Sequence, residues 1–226
     1  MNEFIFISST LICLFSVILF YRFLGKMGLF VWVAIASILA NIIVAKCITL
    51  FGLAASAGNI LYASTFLATD ILSENHSHKD ARLCVIIGTI SIIVYLAVSQ
   101  ITLLFAPNEF DFISPYMSEI FKLAPRITIT SIVCYYISNT LDTYLYQWFS
   151  KKTVFLWLKN NGSTWTSQFI DSVLFSIIAF AGVMPIQGIV EFAITTYIIK
   201  IIVALLDTPF IYIAKKMHNK RKINTL

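Results

Sequence analysis

Long apolar runs separated by short polar loops constrain this chain more than any other feature of its sequence. A helix needs about 20 residues, at a rise of 1.5 Å each, to cross the hydrocarbon core of a bilayer. Runs close to this length lie at 3–21, 28–50, 57–73, 83–106, 118–148, 165–183 and 188–214. With 59% of 226 residues hydrophobic and 12% charged, the chain falls outside the range of soluble domains. The sequence therefore predicts an all-α polytopic integral membrane protein with six to seven transmembrane helices in one bundle.

The basic residues of the connecting loops alternate along the chain. Lys and Arg follow the first, third, fifth and seventh runs, whereas the loops 51–56, 106–114 and 184–187 contain neither. Because Lys and Arg collect on the cytoplasmic side of a membrane, we expect the N-terminus outside and the C-terminus in the cytoplasm. The net charge of +5 then reflects topology, and the basic tail 215–226 is expected to contact anionic lipid headgroups rather than nucleic acid.

The sequence contains no signature of a soluble catalytic module. No stretch between the runs is long enough to fold alone, so we expect a single membrane domain over 1–226. The first run is expected to remain as a helix, since Met1–Glu3 supplies no basic residue and no small-residue cleavage site follows. Nucleotide-binding and hydrolase motifs are absent, and the four cysteines stand singly. We therefore expect neither an enzyme nor a cofactor or metal site.

Polar and ionisable residues lie inside several of the apolar runs, at spacings that place them beside aromatic side chains. An ionisable group in hydrocarbon costs at least a few kcal/mol, so it usually faces the bundle interior or a water-filled cavity. Residues three or four apart share a helix face. The faces are Asn59/Tyr62/Phe66/Asp70, Tyr135/Asn139/Asp142/Tyr146, Gln168/Asp171/Phe175 and Tyr197/Lys200/Ala204/Asp207.

The depth of these residues follows from the predicted direction of each helix. Asp70, Asp142, Asp171 and Asp207 should share one level near the cytoplasmic side, with Asn41 and Lys200 closer to mid-membrane. For any single residue, snorkelling or pairing near a helix end is the alternative interpretation. Taken together, the set predicts a polar, aromatic-lined cavity. Carboxylates, amides and rings suit a flat, nitrogen-rich solute, and purine-like bases are one such class.

Several segments resemble a known transporter family. They are ANIIVAKCITLFGL (40–53), LYASTFLATDILSENHSHKDAR (61–82), APRITITSIVCYYISNTLDTYLYQWF (124–149), GSTWTSQFIDSVLFSIIAFAG (162–182) and TTYIIKIIVALLDTPFIYIAKK (195–216). These are similar to the queuosine precursor transporter family, also called the vitamin uptake transporter family. The resemblance covers roughly 32–216, and we take 28–214 as the family-like core, whereas the extra N-terminal span 3–21 has no match.

The resemblance implies a function and a set of site residues. The function is uptake of 7-cyano-7-deazaguanine, 7-aminomethyl-7-deazaguanine or queuine across the bacterial inner membrane, for salvage in tRNA modification. The implied partners are the small base and the lipid bilayer, with a homodimer as one candidate assembly. The residues that it places at the substrate are Asn41, Asp70, Arg126, Asp142, Asp171 and Lys200, with Phe66, Asn139, Gln168 and Tyr197 as neighbours.

Several alternatives stay open at this point. The chain could be a substrate-binding subunit for another nitrogenous solute or vitamin that needs an energising ATPase partner, or an intramembrane enzyme. Transport could be coupled to protons or could be facilitated diffusion. The preferred base, the oligomeric state and the carboxylate that contacts the base are not determined by the sequence.

Overall fold

The computed structural model describes residues 1–44, 46–121, 125–182 and 185–224, and every side chain in them except those of 47, 53–55, 125–128 and 221–224. Within these residues the protein is a bundle of helices with one small β-hairpin. The helices are α1 (Asn2–Leu24), α2 (Lys26–Ile43), α3 (Asn59–Asn75), α4 (His78–Thr102), α5 (Ser114–Phe121), α6 (Pro125–Lys152), α7 (Leu156–Phe180) and α8 (Ile186–Asn224). The strands β1 (Cys47–Leu50) and β2 (Leu53–Ser56) lie between α2 and α3.

The long helices confirm the predicted all-α polytopic fold. Among the described residues, four helices are long and apolar enough to cross a membrane: α1, α2, α4 and the stretch Ile186–Lys220 of α8. α6 and α7, with 28 and 25 residues, also have the necessary length but carry polar side chains that the bundle buries. The number of six to seven spans stays a prediction.

α3 is the central helix of the bundle. Its residues Ser64–Leu72 are all buried, and it packs against α1, α2, α4, α6 and α8. A helix that is buried on every side belongs to the core, not to the lipid-facing surface. Leu67 and Ile71 of α3 pack in the main cluster of buried apolar side chains. Within a bilayer such packing stabilises the bundle through close van der Waals contact. Polar groups on α3 are therefore enclosed by protein.

Contacts between helix ends show how α1, α2, α3, α4 and α8 are oriented relative to one another. Lys26 at the start of α2 forms an ion pair with Asp80 at the start of α4, with 2.9 Å between Nζ and Oδ1. The hydroxyl of Tyr21, late in α1, lies 3.2 Å from His76 Nε2 after α3 and 3.0 Å from His218 Nδ1 late in α8. These residues share one end of the bundle with the basic loops. We call it the basic end, and the opposite end, which carries the hairpin, the hairpin end.

The hairpin corrects the predicted second span, because 28–50 is not one helix. α2 ends at Ile43, and β1 pairs antiparallel with β2 so that Leu50 faces Leu53 across a two-residue turn. Both turn residues, Phe51 and Gly52, have positive φ angles of 51° and 79°, as a type I′ hairpin turn requires. A short apolar run can form either a strand or part of a buried helix, so hydrophobic periodicity does not distinguish the two structures here.

One helix boundary follows a predicted break, and another differs from the prediction. Pro125 in the run 118–148 predicts a kink or break near 123–126 and a surface turn at 117–122. The division at the proline is confirmed, since α6 begins at Pro125, a position where the missing proline N–H costs nothing, whereas 117–121 belong to the helix α5 and not to a turn. α7 begins at Leu156, nine residues before the predicted start at 165, and buries Lys159 and Asn160. Polar residues that were interpreted as a loop are thus part of the bundle core.

Candidate functional site

A cavity of about 90 Å³ lies between α2, α3, α6, α7 and α8, in the half of the bundle nearer the hairpin. One water needs roughly 10–15 Å³ on this measure, so the cavity has room for something larger than a single water. Its polar and aromatic lining includes Asn41, Asn59, Tyr62, Tyr135, Asp171 and Lys200. Apolar walls with a few convergent polar groups are typical of small-molecule sites.

An ion pair between Asp171 of α7 and Lys200 of α8 forms the charged centre of the cavity. The two residues are 4% and 8% exposed, and Lys200 Nζ donates to Asp171 Oδ2. The other carboxylate oxygen, Oδ1, accepts hydrogen bonds from the Tyr62 hydroxyl at 3.1 Å and from Ser138 Oγ at 2.9 Å. Donors from three other helices therefore hold the Asp171 carboxylate in a fixed orientation.

Aromatic rings form one wall beside this ion pair. The Tyr62 ring packs edge-on against Tyr135, with centroids 5.7 Å apart, and Lys200 Nζ lies 5.3 Å from the Tyr62 centroid. Gly88 of α4 makes room for Tyr135, because a Cβ atom at this position would overlap the Tyr135 ring. The absent side chain at Gly88 thus allows an aromatic surface to lie beside the cavity.

A second polar layer lies below the cavity, toward the basic end. It contains the buried carboxyl groups of Asp70 on α3, Asp142 on α6 and Asp207 on α8. Ser167 Oγ donates to Asp142 Oδ1 at 3.0 Å, and Asn160 Nδ2 donates to Asp207 Oδ1 at 2.7 Å. We call this set of three carboxyl groups the acidic triad.

Most of the chain matches a known protein family. Residues 56–214, which run from the last residue of β2 into α8, match the family model described as "Putative vitamin uptake transporter". The chain belongs to the vitamin uptake transporter family. The resemblance recognised in the sequence is thereby confirmed.

A curated relative supports the same family assignment. It is a protein of Bacillus subtilis (strain 168) named "Probable queuosine precursor transporter", and it is 40% identical over 206 residues. The alignment covers 89% of this chain and 89% of the relative. No solved structure matches.

The structure brings some of the predicted site residues of this family member to the cavity and places others elsewhere. Asn41, Asp171 and Lys200 line the main cavity, and Phe66 and Gln168 line a smaller one of about 10 Å³ beneath it. Asp70 and Asp142 lie in the acidic triad.

Of the remaining predicted residues, Asn139 and Tyr197 line neither cavity. Asn139 is buried and donates from Nδ2 to the Tyr135 carbonyl at 3.1 Å. Tyr197 packs edge-on against the exposed ring of Phe169, with centroids 5.3 Å apart. Arg126 stands in the first turn of α6, and its side chain lies outside the described part of the structure.

The predicted common depth of four aspartates does not match the structure. Ser167 contacts Asp142 while Ser138 contacts Asp171, so the two carboxylates are offset by about four residues, or roughly 6 Å along the helices. The reason is the early start of α7 at Leu156, which moves Asp171 deeper into the bundle. Asp171 therefore serves the cavity and not the acidic triad.

The predicted set of substrate residues lacks several residues that complete the site. Tyr62, Tyr135 and Asn59 line the cavity, and Ser138 orients Asp171. Asn59, Tyr62 and Tyr135 lie on the predicted polar faces, which was the available signal. Serine in a transmembrane helix more often bonds its own backbone, and Ser138 also does this, since Oγ lies 2.7 Å from the Cys134 carbonyl.

The basic end is closed by a network around Glu74. Its Oε2 accepts from Tyr146 and from Lys159, both at 3.0 Å, and its Oε1 accepts from Lys215 at 2.5 Å. The network joins α3, α6, α7 and α8. Together with the buried layer of Phe66 and the acidic triad, it separates the cavity from the basic end.

Proposed function

We propose that this protein imports queuosine precursors, the 7-deazaguanine bases, across the bacterial inner membrane for salvage in tRNA modification. The observation that carries the proposal is the cavity in which a carboxylate, an ammonium group and aromatic rings meet. Membership of a transporter family and the name of the Bacillus subtilis relative support transport of this class of solute. The protein acts as a carrier and not as an enzyme.

The hydrogen-bonding groups of the cavity suit a guanine-type base. Such a base presents adjacent N–H donors on one edge, and a single carboxylate can accept both. Asp171 is the carboxylate that lines the cavity, and it already accepts from Tyr62, Ser138 and Lys200. An incoming base takes over part of this acceptor capacity. The ammonium of Lys200 is then free to donate to the carbonyl oxygen of the base.

The walls of the cavity suit the flat ring system of the same base. Tyr62, Tyr135 and Phe175 line the cavity and offer ring faces and edges. Offset and edge-on aromatic contacts are worth about 0.5–1.5 kcal/mol beyond the buried area. Asn41 and Asn59 add amide groups that can both donate and accept. This combination favours a nitrogen heterocycle over a sugar or an amino acid.

We further propose that the basic end faces the cytoplasm and that the N-terminus lies outside. The loops at that end carry Lys and Arg, which resist translocation. In this orientation the cavity lies on the outer side, near the hairpin, and the Glu74 network closes the inner side. The structure then corresponds to a carrier that receives its substrate from outside.

Uptake by the purified chain tests this function. The chain alone is reconstituted into liposomes and given labelled 7-cyano-7-deazaguanine, 7-aminomethyl-7-deazaguanine or queuine, with guanine as competitor. We expect saturable uptake of at least one base, its loss in Asp171→Asn, and its retention in the control Glu191→Gln, an exposed acid on α8. Binding of a base without uptake would contradict transport by this chain alone and would indicate a subunit that needs an energising ATPase partner.

A further inference from the structure

The acidic triad combines three carboxyl groups that are buried in the bundle interior. Asp70 and Asp142 are 0% exposed and Asp207 is 1% exposed. The carboxyl groups of Asp70 and Asp142 lie within hydrogen-bonding range of each other, and Asp207 lies close to both. Among the residues that the structure describes, no Lys or Arg forms an ion pair with any of the three.

The charged groups around the triad are engaged elsewhere. On the basic side, Tyr146 of α6, Lys159 of α7 and Lys215 of α8 all contact Glu74. On the hairpin side, Lys200 of α8 pairs with Asp171 of α7. The triad thus lies between two ion-pair networks without a cation of its own in the described structure.

The carboxyl oxygens of the Asp70–Asp142 pair have few donors, although the Thr164 hydroxyl lies near both groups. In the described part of the chain, neither oxygen of Asp70 accepts a hydrogen bond of ordinary geometry, and neither does Asp142 Oδ2. The neighbouring Asn160 is fully buried and directs its amide into the triad, yet its Oδ1 has no partner either. Two carboxylates that face each other with so few donors are costly when both are ionised, and a bound positive charge between them lowers this cost.

A proton is the positively charged species that suits the Asp70–Asp142 pair. Two adjacent carboxylates that are removed from water cannot both remain ionised at reasonable cost, and carboxyl pairs in enzymes share one proton for this reason. A proton converts one acceptor into a donor, so a hydrogen bond between Asp70 and Asp142 satisfies two of the unpartnered oxygens. The described residues offer no group of three or more His, Cys, Asp or Glu arranged to hold a metal ion.

The small cavity links the triad to the substrate cavity. It has about 10 Å³, room for roughly one water, and Asp207 and Thr164 line it. Tyr62 and Lys200 line both this space and the main cavity. A proton therefore has a route of about one water molecule from the substrate cavity to Asp207, the triad member that lines the small cavity and lies close to the Asp70–Asp142 pair. The route starts from the same side of the membrane as the substrate.

We propose that the acidic triad, centred on the Asp70–Asp142 pair, is a proton-binding site that loads from the substrate cavity and makes uptake a proton symport. The inference rests on the proposed transport function. Loading from one cavity means that proton and base travel in the same direction. One proton per neutral base gives about tenfold accumulation for each pH unit across the membrane, because one pH unit corresponds to a tenfold ratio.

Proteoliposomes with a clamped membrane potential test the proposal. In the wild-type protein, an interior one pH unit more alkaline should give about tenfold accumulation of base. In Asp70→Asn and Asp142→Asn the ratio of accumulation with and without the gradient should fall to about one. The control Glu191→Gln should keep the wild-type ratio. A base-dependent thermal shift in detergent shows whether each variant has folded and binds.

A second measurement uses only the wild-type protein and so does not depend on variants that fold. A pH-sensitive dye trapped in the vesicles should report acidification when base is added outside. Uptake without acidification, equal gradient responses in wild type and both variants, or accumulation driven by sodium instead of protons would each overturn the proton site. Absence of binding and uptake under every condition would instead reject the transport function itself.

Discussion

Replacement of Lys200 by methionine tests the charged centre of the cavity. The side chains of Lys200 and Asp171 are 9% and 6% exposed, so Lys200→Met leaves an almost buried carboxylate with two neutral donors, Tyr62 and Ser138. Breaking a buried ion pair in this way costs about 3–5 kcal/mol. Because the pair lines a cavity that can admit water, we expect the lower end, about 3 kcal/mol.

Thermal unfolding of the detergent-purified protein measures this loss. For a chain of this size, 1 kcal/mol shifts the midpoint by about 2–4 °C, so Lys200→Met should unfold roughly 6–12 °C below the wild type. The double variant Lys200→Met/Asp171→Asn should recover most of the loss, because it leaves no unpaired charge. Lys216→Met, exposed on the same helix, is the matched control and should change stability by less than about 0.5 kcal/mol. Additive losses in the double variant would refute the ion-pair interpretation.

Three further predictions concern other parts of the bundle. Gly88→Ala should displace the Tyr135 ring and weaken binding of the base about tenfold, since overpacking costs about 1–3 kcal/mol; unchanged affinity in a thermal-shift titration would count against the aromatic wall. Glu74→Gln should loosen the basic end, seen as faster amide hydrogen exchange at the ends of α3 and α6 and at the start of α7, and unaltered exchange would show that the network does not close it. Phe51→Asn should raise the free energy of unfolding by up to about 1 kcal/mol, because asparagine tolerates the positive φ and the exposed ring is not needed for packing. A lower midpoint in a thermal melt would contradict this account of the turn.

The sequence was sufficient to predict the membrane bundle but not its boundaries. Apolar runs predict that long membrane helices form, since a bilayer requires them, whereas the number of spans and their orientation stay predictions. The hairpin and the start of α7 depend on tertiary contacts. Lys159, Asn160 and Asn161 look like loop residues, yet Glu74, Asp207 and Thr208 provide their partners inside the protein. The hydropathy of the sequence around these residues does not reveal such distant partners.

The site was predicted in part, for a similar reason. Asp171 and Lys200 stand out because ionisable groups are rare in hydrocarbon, and the structure brings them together. Tyr62 and Ser138 belong to residue types that occur widely in membrane helices, so their contact with Asp171 is visible only in three dimensions. The division into a substrate cavity and an acidic triad also required the structure, because it depends on an offset of one helical turn.

Base-dependent thermal stabilisation of wild type and Asp171→Asn tests the central claim most directly. The detergent-purified proteins are titrated with 7-cyano-7-deazaguanine, 7-aminomethyl-7-deazaguanine, queuine and guanine, with Glu191→Gln as the control. We expect at least one deazaguanine to raise the unfolding temperature of the wild type and of the control but not of Asp171→Asn. Equal stabilisation of Asp171→Asn and wild type by the same base would contradict it.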